Sequence, residues 1–339
     1  MQLLYLLIEM IVKSVLVFAC LMMAVAYMTW LERKVLGHIQ VRMGPNRCGP
    51  FGLLQPLADG IKAFFKEDLV PGRSDKAIFV MAPMIAIVAA ISIFAVVPFG
   101  NQFTLPGTNW IVKLRLADVD IGLLYILGLA SIGEFGIVLG GWSSGNKYGL
   151  TGSLRAAAQM ISYEVALGLS IVGVILLSQS LRLTEIVALQ AGGFWNWNIW
   201  YQPVAFVLYI ICGLAEINRT PFDMPEADSE LACGFNIEYS SMKFALFFMA
   251  EYAHMITMGA VAVTLFWGGW QPLVPGLDFI PGVIWFGGKL FVILFFFIWQ
   301  RGTFPRLRYD QIMKFGWKVL FPLTLVNLLI TALVLVLKG

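Results

Sequence analysis

Between Glu216 and Glu230 the chain carries five carboxylates in fifteen residues: Glu216, Asp223, Glu226, Asp228 and Glu230, with Glu238 close behind. The single arginine of that run, Arg219, cannot neutralise them all. A charge run is ordinarily a solvated surface. Here Phe222, Met224, Leu231 and Phe235 interleave with the acids, a pattern that suggests a loop folded back into the protein. Carboxylates crowded together away from water cannot all ionise, so some hold a proton near neutral pH. That chemistry suits storing and passing protons. A second set, Glu9, Lys13, Glu134, Glu164, Glu251 and Lys289, lies inside long apolar stretches. A charge at a bilayer centre costs at least about 2.5–3.5 kcal/mol, so such groups normally face protein or a wet cavity. Glu9 and Lys13 stand one helical turn apart and can neutralise each other. Lys289 can snorkel or pair with a carboxylate of another span. Glu164 and Glu251 have no cation near them in sequence and read as functional. Arg301, Arg306 and Arg308, joined by Pro305, Tyr309 and Asp310, can pair with carboxylates or simply anchor a basic loop.

The elements that must position these groups follow from composition. Of 339 residues 59% are apolar and 13% charged, against about 25% charged in soluble domains. Lipid is the implied solvent, where only helices and closed barrels satisfy the backbone. The apolar runs are continuous rather than alternating, which selects helices. The expected fold is all-α: a polytopic membrane helix bundle in one integral membrane domain, 1–339, with about eight transmembrane helices. The spans are about 3–31, 77–99, 119–141, 157–178, 203–217, 241–267, 283–301 and 318–337. The first is too long for a signal peptide, contains Glu9 and Lys13, and lacks a small-residue cleavage site, so it is read as a mature helix. The fifth is short and stops before Pro221 and Pro225.

Odd-numbered loops hold nearly all the cations, including Arg33, Lys34, Arg42, Arg47, Lys62, Lys147, Arg155, Arg219 and Arg306. The even loops hold Lys113, Arg115 and Arg182. That asymmetry predicts odd loops in the cytoplasm and both termini outside. Within the first loop, Gly44 to Pro50 is turn-rich. Gln55-Pro56 then opens an amphipathic helix. Leu54, Leu57, Ala58, Ile61, Phe64 and Phe65 share one face; Gln55, Asp59, Lys62 and Lys66 share the other. It is expected to lie flat at the interface, as an anchor or as the lip of a cavity admitting a lipid-like ligand.

Other classes are excluded by what is missing. Cys20, Cys48, Cys212 and Cys233 show no C-x-x-C spacing, and His38 and His254 are too scattered for a haem or metal site. No dinucleotide or P-loop motif is present. No metal, FMN or iron–sulfur site and no nucleic-acid partner is expected.

The segments Glu32 to Gly37, Arg42 to Asn46 and Gly49 to Asp59 resemble the first cytoplasmic loop of the H-subunit family of NADH:quinone oxidoreductase, respiratory complex I. Trp142 to Tyr148, Ser153 to Glu164, Asn218 to Gly234, Phe247 to Tyr252 and Pro305 to Gln311 resemble its later segments in order. The likeness spans essentially the whole chain. Asn218 to Asp223 is its most specific part, and Met242 to Phe244 and Gly268 to Trp270 look bacterial. The resemblance implies a subunit of a bacterial inner-membrane translocase, inactive in isolation, with lipid, the peripheral-arm quinone-site subunits and the small and antiporter-like membrane subunits as neighbours. It implies a chamber for ubiquinone or menaquinone near Arg33, Arg42, Asp59, Lys62 and Phe222. It further implies a proton relay of Glu164, Glu216, Asp223, Glu226, Asp228, Glu230 and Glu251, with Arg219, Arg301 and Arg306 as charge partners. Glu134 departs from the family pattern and receives no role. Two alternatives remain: the equivalent subunit of an energy-converting hydrogenase, which would serve no quinone, and a secondary transporter. The latter usually has paired internal repeats, and none is evident between the two halves.

Overall fold

A computed structural model describes residues 2–104, 111–224, 231, 233–274, 276–277 and 279–338. Twelve α-helices are described: α1 (Gln2–Ile39), α2 (Gln55–Phe65), α3 (Lys76–Ile93), α4 (Gly122–Ser143), α5 (Lys147–Ser178), α6 (Leu183–Leu189), α7 (Asn198–Tyr201), α8 (Pro203–Glu216), α9 (Ser241–Phe266), α10 (Gly282–Thr303), α11 (Tyr309–Phe315) and α12 (Phe321–Lys338). A π-helical turn, Gly316–Leu320, runs α11 into α12. Two three-residue strands, β1 (Gln102–Thr104) and β2 (Ile111–Lys113), pair antiparallel between α3 and α4. They are a detail of one loop in an otherwise helical bundle.

Seven helices are long and apolar enough to cross a membrane, and α8 is a shorter apolar helix of 14 residues. The eight expected spans correspond to these eight, with shifted ends. The largest shift is at α5, which begins at Lys147 rather than near 157. Its cap explains this, because the Asn146 side chain accepts from the Tyr148 amide at 3.0 Å and satisfies one orphaned N–H. The third loop therefore shrinks to 144–146, and its expected cations Lys147 and Arg155 stand on a helix.

Helix α9 is central: it packs against α1, α3 and α10, while α5 packs against α4, α8 and α12. Small residues permit the closest approaches. A Cβ on Gly136 would lie 2.9 Å from the Ala82 carbonyl oxygen, the Ala86 amide and the Ala86 Cβ. Gly136→Val is thus expected to force α3 and α4 apart at a cost of about 1–3 kcal/mol. Thermal unfolding in native membranes tests this; an unchanged midpoint would show that the contact yields freely.

Glu9 and Lys13 pair at 2.5 Å. Lys289 does not snorkel and, among the described residues, meets no carboxylate, contrary to expectation. It is buried, and its Nζ donates to the carbonyls of Trp267, Gly269 and Gln271 at 2.7, 2.9 and 2.7 Å. These carbonyls belong to the C-cap and the turn that follows α9, beside the negative end of its helix dipole. The Trp197 ring lies 4.0 Å from the same ammonium and adds cation–π attraction.

Helix α2 packs against α1 and α9. The Ser241 hydroxyl donates to the Ala63 carbonyl at 3.0 Å, and Lys243 meets Asp68 at 2.9 Å. Its other face leaves Leu57, Ile61, Phe64 and Phe65 exposed, as an interfacial helix should. Tyr239, in the loop before α9, stacks on Phe79 at 4.1 Å and donates to its carbonyl at 3.2 Å. Burial pushes its phenol up to about 12, so it stays neutral.

Candidate functional site

Helix α8 stops at Glu216, and the chain folds inward rather than emerging. Ile217, Arg219, Phe222, Asp223 and Met224 are all buried. Gln159 of α5 holds this segment, its Nε2 donating to the Ala215 and Phe222 carbonyls at 2.7 Å each. The Leu307 amide donates to the Pro221 carbonyl at 3.1 Å, and Arg306 meets Asp223 at 2.9 Å. Irregular backbone at such depth is tolerated only where protein satisfies its polar groups. These bonds supply that condition.

At the centre sits Glu32 of α1, which is buried. It accepts from Arg219 at 3.2 Å and from the Tyr252 hydroxyl at 2.6 Å, and it contacts Arg301. Arg219 also pairs with Glu251 at 2.6 Å, and its guanidinium lies 4.5 Å from the Tyr252 ring centroid. The cluster therefore balances two carboxylates against two guanidiniums, with Glu32 and Arg219 buried and Glu251 and Arg301 partly exposed. Each ion is partnered as charges away from water require.

Deeper in the bundle a cavity of about 70 Å³ opens between α3, α4, α5, α8 and α9. Ala90, Ile137 and Phe247 are among its apolar walls, and Glu134, Glu216, Glu251 and His254 are its titratable groups. His254 Nε2 lies 3.3 Å from Glu216 Oε1. Glu134 Oε1 and Glu216 Oε2 are buried with no hydrogen-bond partner among the described residues. Such oxygens on a cavity wall are where internal water binds. Glu164 is held by the Ser131 hydroxyl of α4, three residues before Glu134.

The structure thus brings together Glu216, Glu251, Arg219 and Arg301, and places Asp223 with Arg306 at the adjoining loop. Glu226, Asp228 and Glu230 lie outside the described residues. Of the five residues expected near the chamber, Arg33 pairs with Asp59 at 2.6 Å, whereas Arg42 and Lys62 are exposed on the loop and on α2. Arg42 donates to Gln40 at 2.6 Å. Phe222 does not line the cavity; it is buried against Tyr163, with ring centroids 5.5 Å apart. Glu134, set aside in the sequence, stands on the cavity wall. Glu32 and His254 were also missed. Glu32 was hidden in the basic run Glu32-Arg33-Lys34, and His254 had only one histidine far away for company.

The chain as a whole is similar to known proteins. A family model described as NADH dehydrogenase matches residues 12–332. The NADH-quinone oxidoreductase H subunit 2 of Koribacter versatilis is 53% identical, the alignment covering 97% of each chain. The H subunit 1 of Geobacter sulfurreducens is also 53% identical, over 98% of this chain and 96% of the relative. The H subunit of Brevibacillus brevis is 49% identical, over 96% and 92%. The chain belongs to the H-subunit family of NADH-quinone oxidoreductase. With seven helices able to cross a membrane, this H-subunit family member is a multi-pass membrane protein, and the all-helical polytopic fold expected from its hydropathy is the one it adopts.

Proposed function

We propose that the chain is the membrane subunit of a proton-pumping NADH:quinone oxidoreductase that receives quinone beside α2 and starts the proton relay. The observation that carries this reading is continuity of ionisable groups. Arg33 and Asp59 sit at the exposed junction of α1 and α2. One residue earlier on α1, Glu32 enters the buried cluster with Arg219 and Arg301. Arg219 pairs with Glu251, which lines the cavity together with Glu216, Glu134 and His254.

The chemistry follows from quinone itself. Reduction to quinol takes two electrons and two protons. Negative charge developing in a desolvated chamber raises the proton affinity of neighbouring carboxylates. A proton captured by one acid changes the field on the next, so redox work becomes proton movement through Glu251, Glu216, Glu134 and Glu164. Asp223, with Arg306, flanks this path, and the acids Glu226, Asp228 and Glu230 join it on the strength of sequence. Exposed Leu57, Ile61, Phe64 and Phe65 make α2 a lip over which an isoprenoid tail can pass from lipid. Arg42, Lys62 and Phe222 are assigned to the surroundings of that chamber. The basic first loop then lies in the cytoplasm of a bacterial inner membrane, with both termini periplasmic and the whole chain one integral domain. Its partners are the peripheral-arm quinone-site subunits and the small and antiporter-like membrane subunits. The FMN and iron–sulfur centres belong to those other subunits.

A photoreactive quinone analogue, irradiated in intact membranes, tests the reading. Labels are expected between residues 30 and 66, competed away by excess quinone. Absence of label from this chain, with partner subunits labelled, would overturn the chamber assignment. The hydrogenase alternative predicts instead that the purified complex evolves hydrogen and leaves quinone unreduced.

A further inference from the structure

We propose that His254 carries protons within this relay, accepting one at Nε2 from Glu216 and releasing one from Nδ1 to a carboxylate of the cavity. The proposal rests on the relay reading given above.

His254 stands on α9 three residues after Glu251, so the two side chains share one helix face, and both line the cavity. Its Nε2 reaches across to α8, 3.3 Å from Glu216 Oε1. The groups facing it can be named element by element. Glu216 comes from α8, Glu134 from α4 and Glu251 from its own helix. The wall residues of α3 and α5 are Ala86, Ala90, Ile93 and Met160, none of which titrates. Among the described residues that line the cavity there is no lysine or arginine. His254 is therefore the group in a wall of three acids that can become cationic.

That asymmetry matters for transfer. A carboxylate-only path must leave an anion behind whenever a proton moves on. When Glu216 passes its proton to Nε2, the carboxyl becomes a carboxylate and the imidazole an imidazolium. The two opposite charges are created together and neutralise each other. Loss of the Nδ1 proton to a carboxylate of Glu134 or Glu251 returns a neutral ring of the other tautomer, and that carboxylate becomes a carboxylic acid. Imidazole can take and release a proton at different atoms and changes charge near neutral pH. The plainer role is a fixed neutral donor that only orients Glu216. Glutamine or asparagine reproduces that role but cannot carry a proton.

The test uses the whole complex in proteoliposomes, with His254→Gln, His254→Asn and Glu216→Gln compared at equal amounts of assembled complex. Protons moved per NADH and the pH profile of coupled turnover are read. Both histidine variants are expected to lower coupled turnover by about tenfold or more and to alter its pH profile. Normal pumping with an unshifted profile in His254→Gln overturns the proposal. If Glu216→Gln still abolishes pumping in that case, the relay reading stands and only the role of His254 falls. If all three variants pump normally, the relay reading falls with it.

Discussion

Glu32→Ala is expected to reduce the amount of assembled complex more than any other single truncation in its ion cluster. The substitution leaves buried Arg219 and partly exposed Arg301 without the carboxylate they share, and the Tyr252 hydroxyl without its acceptor. Removing one partner from a buried ion cluster costs about 3–5 kcal/mol, because the remaining charge is uncompensated. Glu251 still balances Arg219, so the unpaired burden falls on Arg301. Native electrophoresis and thermal unfolding of the complex measure the effect. Glu32→Gln keeps hydrogen-bond acceptance at the same place and is expected to cost less. Equal yields for wild type and Glu32→Ala would show that the cluster is wet enough to relax and is not a structural hub.

Glu216→Gln has the largest expected effect on function. The variant is nearly isosteric and retains a hydrogen-bonding side chain toward His254, so the bundle should assemble. It cannot release a proton. Coupled quinone reduction is expected to fall by about two orders of magnitude. NADH oxidation by a water-soluble acceptor, which bypasses the membrane arm, is expected to persist. Normal quinone reduction and normal pumping in this variant would remove Glu216 from the relay and leave it as a buried acid with a local structural partner.

How much of this was legible beforehand depends on the range of the interaction that fixes each residue. Span number and the amphipathic face of α2 are set by local hydropathy and spacing, so Leu57, Ile61 and Phe64 could be placed from sequence. The acids from Glu216 to Asp223 announced themselves by crowding and by the apolar residues between them. Glu32 did not, because its meaning comes from Arg219 and Arg301, which lie 187 and 269 residues away. Lys289 failed for a related reason: its partners are backbone carbonyls at a helix end, and backbone groups leave no mark on composition. The start of α5 turned on one side-chain cap, Asn146, which hydropathy averaging over a span erases. Glu134 shows the opposite error, since its position was plain but the cavity that gives it neighbours exists only once five helices have packed.

The shortness of α8 has an electrical consequence. Fourteen helical residues at a rise of about 1.5 Å each extend about 21 Å, some 9 Å less than a hydrocarbon layer of about 30 Å. On the proposed orientation, with Pro203 at the outer hydrocarbon boundary, Glu216 would stand that far below the membrane surface on the side of the basic loops. On the proposed reading, a proton that reaches Glu216 from the water on that side has crossed about a third of the insulating layer. Moving one charge across the full membrane involves about 2.3 kcal/mol per 100 mV; a third of that distance corresponds to about 0.8 kcal/mol per 100 mV. Filling this site is then itself a voltage-sensitive step, and the membrane potential acts on its occupancy as well as on the outward journey of the pumped proton.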